Sequence, residues 1–288
     1  MRRIYLTLGS TRVRLALGLL LAVLLMAQIV AGLDFTKARA TVQQTSYDLN
    51  GKTSNDDLRR LAEKNHIELL KACLVDCEKS YRRYSCRLER QERLGGVLTP
   101  VQVIDVKFRG DPYSVLMVWQ ENAPRGDKML YVEDPSLAPG QWKMFIHPSG
   151  LPGRIFKSVE RSPDDPEIRS ASQRSVKEFG FANGLRSLLG VYEQADRAGQ
   201  LLETKYLGTG MIDGRPTIAL KRVLPNGHNY PAFETTIEID QEYRVPVSVT
   251  GTNWQNELVC HYVYKNIRFN DESGVKDSDF LRKTNNLD

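Results

Sequence analysis

Alternation of apolar and polar residues, repeated in short runs along most of the chain, is the feature that most constrains its fold. In residues 101–109, for example, Ile104, Val106 and Phe108 alternate with charged residues. A period of two is typical of a strand that buries one face and leaves the other in water. Gly-Gly, Gly-Asp-Pro and Asp-Gly sequences separate the runs and favour tight turns. The chain is therefore predicted to form mainly antiparallel sheet.

Two helical patterns interrupt the strands. Asn55-Asp56-Asp57 provides an N-cap and acids for the first turn of a helix predicted to run to about residue 79. Asn183 is predicted to cap a second helix over residues 184–197, which Gly199 ends. About ten strands are too many for a flat open sheet, so the sheet must curl. The predicted fold class is α+β: a strongly curved antiparallel sheet, an incomplete barrel, with helices packed on its concave face.

The run from residue 113 to residue 119 differs from the others because both of its faces are apolar. It is predicted to be a central strand, with the helices over the face that carries Tyr113, Val115, Met117 and Trp119. Burying each such side chain is worth about 1.5–3 kcal/mol, so exposing the whole stripe would be costly. Each helix offers one apolar stripe, and two stripes that do not fill a curved sheet leave an apolar cleft suited to a lipid.

The candidate ligand-binding residues are the large side chains expected on or beside this stripe, and ordinary core packing is the alternative for each of them. They are Phe108, Tyr113, Val115, Met117, Trp119, Tyr131 and Trp142. The volume and lining of any cavity between the sheet and the helices decide between the two interpretations.

The N-terminal 33 residues have the pattern of an export signal. Arginines precede an apolar run over residues 15–33, and no acidic residue occurs before position 34. The run approaches the roughly 20 residues that span a bilayer, so it is predicted to be either a cleaved signal peptide or a membrane anchor. The predicted organisation is a signal or anchor at 1–33, a polar linker at 34–54, one domain at 55–270 and a polar tail at 271–288. The positive-inside rule then places the domain outside the cytoplasm.

Charge argues against a nucleic-acid partner. The chain carries 40 Lys and Arg residues against 35 Asp and Glu residues. Four of the basic residues precede the apolar run, namely Arg2, Arg3, Arg12 and Arg14, which leaves 36 basic residues against 35 acidic ones. A nucleic-acid-binding domain is expected to carry its own basic patch. The positive charge belongs to the targeting segment instead.

Four cysteines leave more than one interpretation open. Cys73 and Cys77 are four residues apart on the first helical pattern, and either could reach Cys86 shortly after it. In an oxidising compartment a disulfide such as Cys77–Cys86 is possible, and buried unpaired thiols are the alternative. Cys260 has no evident partner. A zinc site is disfavoured, because the sequence has neither a second close pair of cysteines nor a His pair at ligand spacing.

Motifs for catalysis and cofactor binding are missing from the sequence. It contains no G-x-S-x-G, H-E-x-x-H or P-loop. The four histidines, at positions 66, 147, 228 and 261, are scattered and are interpreted as structural or solvated. The acidic group Asp164, Asp165 and Glu167 lies among prolines and is interpreted as a plain loop rather than a calcium site. No enzyme activity, cofactor or metal is predicted.

Several motifs resemble those of a bacterial family of exported proteins of unknown function. They are YSCRLERQERLGGVL (84–98), VKFRGDPYSVLMVW (106–119), GDKMLYVE (126–133), YVYKNIRFN (262–270) and DSDF (277–280). The resemblance covers about residues 56–282, and the chain has Leu116-Met117 where the family often has Tyr-Met. The order of strands and helices is similar to that of the LolA, LolB and RseB lipoprotein carriers and sensors. This similarity implies an incomplete barrel whose concave face accepts acyl chains.

The leading hypothesis is a non-enzymatic cell-envelope protein that binds a lipid or an acylated protein in an apolar half-barrel. Its expected location is the periplasm or cell envelope, with the N-terminal segment as the contact with the membrane. The alternative is a structural or sensing module that binds another envelope protein and has a fully packed core. An envelope hydrolase is a third hypothesis, which a cluster of titratable residues in a cleft would favour.

Overall fold

A computed structural model describes residues 54–133 and 142–288 of the chain. The predicted signal or anchor at 1–33 and almost all of the predicted linker lie outside the described residues. Among the helices that are described, none is both long and apolar enough to cross a membrane.

The predicted N-terminal helix is two helices, α1 (Asn55–Lys64) and α2 (His66–Ser80). Ser54 caps α1 by accepting a hydrogen bond from the backbone of Asp57. The break falls at Asn65, which is extended and caps α2 through its side chain. A competing N-cap inside the pattern therefore divides a helix that periodicity alone predicts as continuous.

Three further helices lie between the strands. They are α3 (Leu151–Ile155), α4 (Pro166–Arg169) and α5 (Phe181–Arg197). Helix α5 begins at Phe181, two residues before the Asn183 cap that the sequence predicts. Asn183 is instead inside the first turn and donates from its side chain to the carbonyl of Phe179 at 3.0 Å. Short 3₁₀ turns occur at Val176–Glu178, Asn270–Ser273, Asp277–Phe280 and Lys283–Asn285.

The strands form one open antiparallel sheet, which confirms the predicted fold class. The order across the sheet is β7-β6-β5-β4-β3-β1-β12-β11-β10-β9-β8, and the short β2 pairs only with β1. The twelve strands are β1 (Arg83–Leu94), β2 (Val97–Leu98), β3 (Gln102–Gly110), β4 (Tyr113–Glu121), β5 (Gly126–Glu133), β6 (Trp142–Pro148), β7 (Val159–Arg161), β8 (Glu203–Ile212), β9 (Arg215–Val223), β10 (Glu234–Asp240), β11 (Pro246–Thr252) and β12 (Leu258–Phe269).

The concave face of the sheet is the face on which α5 begins. Phe181 packs against Tyr84 and Tyr264, with ring centroids 4.7 and 5.0 Å apart. Further along the sheet α1 contacts β8 and β9, α5 contacts β11, and α2 packs beside α5. The helices therefore lie mainly towards the β8–β12 half, and only the start of α5 reaches towards β4. The sequence analysis expected both helical segments over β4.

The convex face of β4, β5 and β6 is covered by the C-terminal tail, residues 271–288. The tail buries three apolar side chains, Val275, Phe280 and Leu287. They pack against the apolar side chains that these strands direct to the convex face, Leu116, Leu130 and Phe145. This cover explains why β4 is apolar on both faces. The boundary expected after residue 270 is not a boundary of the fold, because the tail belongs to the same compact unit as the sheet.

Charged residues fix the tail in place. Lys107 pairs with Asp279 and Arg109 pairs with Asp277, each at 2.9 Å. The Arg109 guanidinium also lies 4.7 Å from the centroid of the Phe280 ring. Two motifs that are far apart in sequence, VKFRGDPYSVLMVW and DSDF, therefore meet on the convex face.

We expect Phe280→Ala to lower the free energy of unfolding by about 3–5 kcal/mol, because it leaves a cavity under the tail. Urea denaturation followed by circular dichroism measures the change. Leu281→Ala is the matched control, since the Leu281 side chain is 57% exposed and Phe280 only 4%. Equal effects of the two substitutions would contradict the packing of the tail on the sheet.

A second prediction concerns His66, which joins α2 to α5. Its ring is buried, with Nδ1 3.1 Å from the Tyr192 hydroxyl and Nε2 3.0 Å from the Ala62 carbonyl. Burial lowers the pKa of His66 to about 4. Between about pH 6.5 and pH 4 the unfolded chain takes up a proton that the folded chain does not, so stability falls as the pH falls.

We expect His66→Gln to flatten this part of the stability profile, because glutamine does not titrate and can still donate to Ala62. Urea denaturation at several pH values between 4 and 7 measures the slope. His228→Gln, at an exposed position, should leave the slope as it is. An unchanged slope in the His66 variant would rule out the proposed linkage.

Candidate ligand-binding site

A cavity of about 320 Å³ lies on the concave face near β4, β5 and β6. Residues 162–180, here called the covering segment, lie across it between β7 and α5. The sheet side of the wall includes Leu88, Met117, Trp119, Met129, Met144 and Ile146. Strand alternation places these side chains on one face, while the opposite set supports the tail. The cavity therefore arises where a curved sheet meets a cover that is mostly not helical.

Three methionines make the sheet side of the wall adaptable. Met117 of β4 pairs with Met129 of β5, which pairs in turn with Ile146 of β6, and Met144 lies two residues before Ile146. Methionine is unbranched and polarizable, and it can adjust to ligands of different shape. This lining suits an apolar ligand without demanding one particular structure.

The structure places all seven predicted site residues on the concave face, but only Met117 and Trp119 line the cavity. Four of the others form an aromatic cluster beside it. The Phe108–Tyr113, Tyr113–Tyr131 and Tyr131–Trp142 centroids are 5.5, 5.8 and 5.2 Å apart. Val115 is fully buried. Beside the cavity, the concave face is therefore filled by the protein's own side chains.

Polar contacts hold the covering segment at several places. The Tyr113 hydroxyl lies 2.7 Å from the Val176 carbonyl and 2.9 Å from the Phe179 carbonyl. Burial raises the pKa of Tyr113, which keeps its hydroxyl protonated as a donor. Arg125 pairs with Glu167 at the rim. The Gln173 side chain donates to the backbone carbonyls of Arg93 in β1 and Val259 in β12.

A polar pair forms one end of the cavity, and the alternation of charged and apolar residues did not predict it. Arg90 and Glu92 of β1 occupy inward positions in line with the apolar Leu88. Glu92 Oε1 accepts from the Tyr262 hydroxyl at 2.5 Å and from the Ser172 hydroxyl at 3.2 Å. Burial and the Glu92 charge raise the pKa of Tyr262, so that hydroxyl remains a donor. The sequence does contain a signal for this placement. Arg90 and Glu92 follow the apolar Leu88 at alternate positions, so strand periodicity puts all three on the same face.

Trp119 joins this polar end to the apolar wall. Its indole Nε1 donates to Gln102 Oε1 at 2.8 Å, and Arg90 donates to the same oxygen at 2.7 Å. Arg90 also donates to the Ser172 hydroxyl of the covering segment at 3.1 Å. One network therefore connects β1, β3, β4 and the cover.

The thiols are separate from the site. All four cysteines are free, so the Cys77–Cys86 disulfide that the sequence allows is not made. Burial raises the pKa of Cys73 and Cys77 to about 12 and that of Cys260 to about 11. Cys86 is shifted in the same direction by burial. The protonated thiols of Cys73, Cys77 and Cys86 are buried and act as small apolar side chains, and Cys260 is partly buried.

Other candidate chemical groups have structural partners. Asp164 pairs with Lys177 inside the covering segment, and His147 lies 2.6 Å from Asp127. None of the four histidines lines the cavity. Within residues 54–133 and 142–288, no three His, Cys, Asp or Glu side chains are arranged to hold a metal ion.

A family model described as "Protein of unknown function (DUF1571)" matches residues 81–287. The chain belongs to this family. The match extends from β1 to the tail, so the DUF1571 domain includes the cavity wall, the covering segment and the Arg90–Glu92 pair. This finding confirms the family resemblance of the sequence motifs. No curated protein matches the chain.

Several solved structures are similar to the DUF1571 chain at low identity. A putative outer membrane lipoprotein-sorting protein domain from Vibrio parahaemolyticus is 11% identical, with 76% of this chain and 97% of that chain covered and a TM-score of 0.36. Lipoprotein LppX from Mycobacterium tuberculosis is 12% identical, with 75% and 99% covered and a TM-score of 0.42. The MucA/MucB complex from Pseudomonas aeruginosa gives 10% identity, 75% and 60% coverage and a TM-score of 0.42.

We expect Tyr113→Phe to loosen the covering segment, because it removes the hydroxyl that reaches Val176 and Phe179. Amide hydrogen exchange of residues 162–180 should become faster. Tyr131→Phe is the matched control, since the buried Tyr131 hydroxyl makes no hydrogen bond within the described chain. If both variants changed exchange equally, the Tyr113 hydroxyl would not be what holds the segment.

Proposed function

We propose that this DUF1571 protein is a non-enzymatic binding protein of the cell envelope. Its cavity holds the apolar part of a lipid or of an acylated protein. The observation that carries the proposal is the 320 Å³ cavity, which remains after the sheet, α5 and the covering segment have packed. Ligand sites typically have volumes of about 300–1,000 Å³ and mostly apolar linings.

The space is partly open to solvent, and its apolar walls are not covered by the protein's own side chains. Native cores are close-packed, and side chains that line a void lose dispersion contacts on one side. The concave face beside the cavity follows this rule, because the adjacent aromatic rings of Tyr113, Tyr131 and Trp142 pack on one another. A fully packed core is the premise of the alternative, a purely protein-binding module. The cavity therefore favours the ligand-binding proposal.

The lining also supports an apolar ligand over a substrate for hydrolysis. Met117, Met129 and Met144 offer no nucleophile and no titratable group, and the histidines are elsewhere. Titratable side chains also line the cavity, among them Glu92, whose Oε1 accepts from Tyr262 and Ser172, but no histidine accompanies them there as a general base. The non-enzymatic role is therefore part of the proposal. The envelope location rests on the arginines and apolar run of residues 1–33, which are predicted to direct the domain across the inner membrane.

The test uses a cavity-filling substitution. We expect Met117→Trp to lower the affinity for phenylnaphthylamine, a neutral fluorophore that brightens in apolar cavities, by about tenfold or more, because the larger ring occupies the space. Fluorescence titration measures the affinity, and thermal unfolding checks that the variant is folded. Met211→Trp is the control, since Met211 lies on β8 with a side chain that is 68% exposed.

Mass spectrometry of organic extracts provides a second measurement. Protein purified without detergent from its native host should carry a co-purifying lipid, and the Met117→Trp protein should carry less of it. Absence of a lipid from the wild-type protein, together with no fluorophore binding, would favour the protein-binding alternative.

A further inference from the structure

The connection between β6 and β7, residues 149–158, carries the two most exposed large apolar residues among those that the structure describes. It includes α3 and is here called the projecting turn. Ile155 is 75% exposed, Leu151 73% and Phe156 57%. Leu151 and Ile155 are four residues apart in α3, so they lie on one face of it. Single exposed apolar residues are ordinary, but three large ones within six positions indicate an interaction surface.

The backbone of the projecting turn is anchored although its large side chains are exposed. Ser149 donates to the Arg125 carbonyl from both its backbone and its side chain, each at 2.9 Å. At the other end, Ser158 Oγ donates to a carbonyl of the tail at 2.6 Å. Gly153 packs so closely on Pro148 that a Cβ at this position would collide with the Pro148 carbonyl oxygen. The exposed side chains therefore project from a fixed turn.

Positive charge accompanies the apolar side chains. Arg154 and Lys157 lie among them and are exposed, and no acidic residue occurs from 142 to 159. In β7, Arg161 lines the cavity, whereas alternation turns Glu160 to the opposite face of the strand. Apolar side chains beside cations are typical of surfaces that bind membranes with anionic lipids.

The projecting turn begins and ends at the wall of the cavity. Pro148 precedes it and Val159 follows it, and both line the cavity. Arg125, whose carbonyl anchors Ser149, is also part of the wall. Whatever binds the turn therefore lies close to this side of the cavity.

We infer that the projecting turn is a membrane-docking surface and that its partner is a bilayer containing anionic lipids. Leu151, Ile155 and Phe156 enter the boundary between headgroups and acyl chains, while Arg154 and Lys157 stay at the level of the phosphates. Docking brings one side of the cavity wall to the bilayer, where an apolar ligand can pass between the two with little exposure to water. The inference goes beyond the proposed function, because no residue of the turn lines the cavity.

The size of the patch favours a membrane over a protein partner. Stable protein interfaces typically bury about 800 Å² on each side and involve roughly 20–30 residues of each partner. The projecting turn offers three large apolar residues on a single short connection. A bilayer requires no complementary shape, so a small projection with flanking cations is enough to bind it.

The test places a tryptophan on the turn. Phe156→Trp protein, as its native host produces it, is mixed with vesicles of phosphatidylglycerol and brominated phosphatidylcholine, and bromine quenches a tryptophan that enters the acyl region. We expect quenching above that of the native tryptophans, because position 156 is buried in the bilayer. Met211→Trp is the matched control, since Met211 is 68% exposed on β8 at the opposite edge of the sheet. A membrane anchor elsewhere in the chain does not quench position 156.

Substitutions around the probe separate the apolar from the charged contribution. Leu151→Ser combined with Ile155→Ser should lower the quenching at position 156 about twofold or more, because less apolar surface is buried. Arg154→Gln combined with Lys157→Gln should do the same on phosphatidylglycerol vesicles but not on vesicles of phosphatidylcholine alone. Added salt should act in the same direction as the second pair, because it screens exposed charges. Thermal unfolding checks that the variants are folded.

Each outcome bears on the inference separately from the proposed function. Equal quenching at positions 156 and 211, or none at 156, would overturn it. Emission at 156 that is blue-shifted without vesicles and returns on dilution would mean that a second copy covers the turn, and would also overturn it. The Leu151→Ser and Ile155→Ser protein should bind phenylnaphthylamine as the wild type does, because neither residue lines the cavity. The cavity and the docking surface are therefore tested independently.

Discussion

The rest of the structure depends on one constraint: strands β4 to β6 are apolar on both faces, so both faces need a cover. A sheet with one wet face needs only one layer of helices. Here the tail closes the convex face with Val275, Phe280 and Leu287, and the covering segment closes the concave face. The two covers differ in kind. The tail packs apolar side chains directly on those of the strands, whereas the covering segment leaves a largely apolar space between itself and the strands.

That difference follows from how each cover is held. The tail buries large side chains and is clamped by ion pairs from Lys107 and Arg109. The covering segment is held largely by polar contacts at its edges, such as Tyr113 with Val176 and Glu92 with Ser172. Edge contacts position a segment without filling the volume below it, so an apolar wall can remain open to a ligand.

The sequence predicted the parts of this arrangement that depend on periodicity. Alternation of period two identified the strands, and the stripe from Tyr113 to Trp119 identified the concave side of β4. The tail was missed because its three buried residues are separated by polar ones with no helical or strand period. The cavity's polar end was missed because Arg90 and Glu92 are charged, and charge in a strand normally indicates the wet face. Only the register of β1 with β12 shows that both point inward.

Glu92 connects the cover and the cavity through a single carboxylate. One oxygen holds Ser172 and Gln173 of the covering segment, while the other is buried 3.8 Å from Arg90 Nε. The tail is held differently, by buried apolar side chains together with the ion pairs that Lys107 and Arg109 make with Asp279 and Asp277. Closure of the concave face therefore depends on buried hydrogen bonds at Glu92, whereas closure of the convex face combines apolar packing with ion pairs.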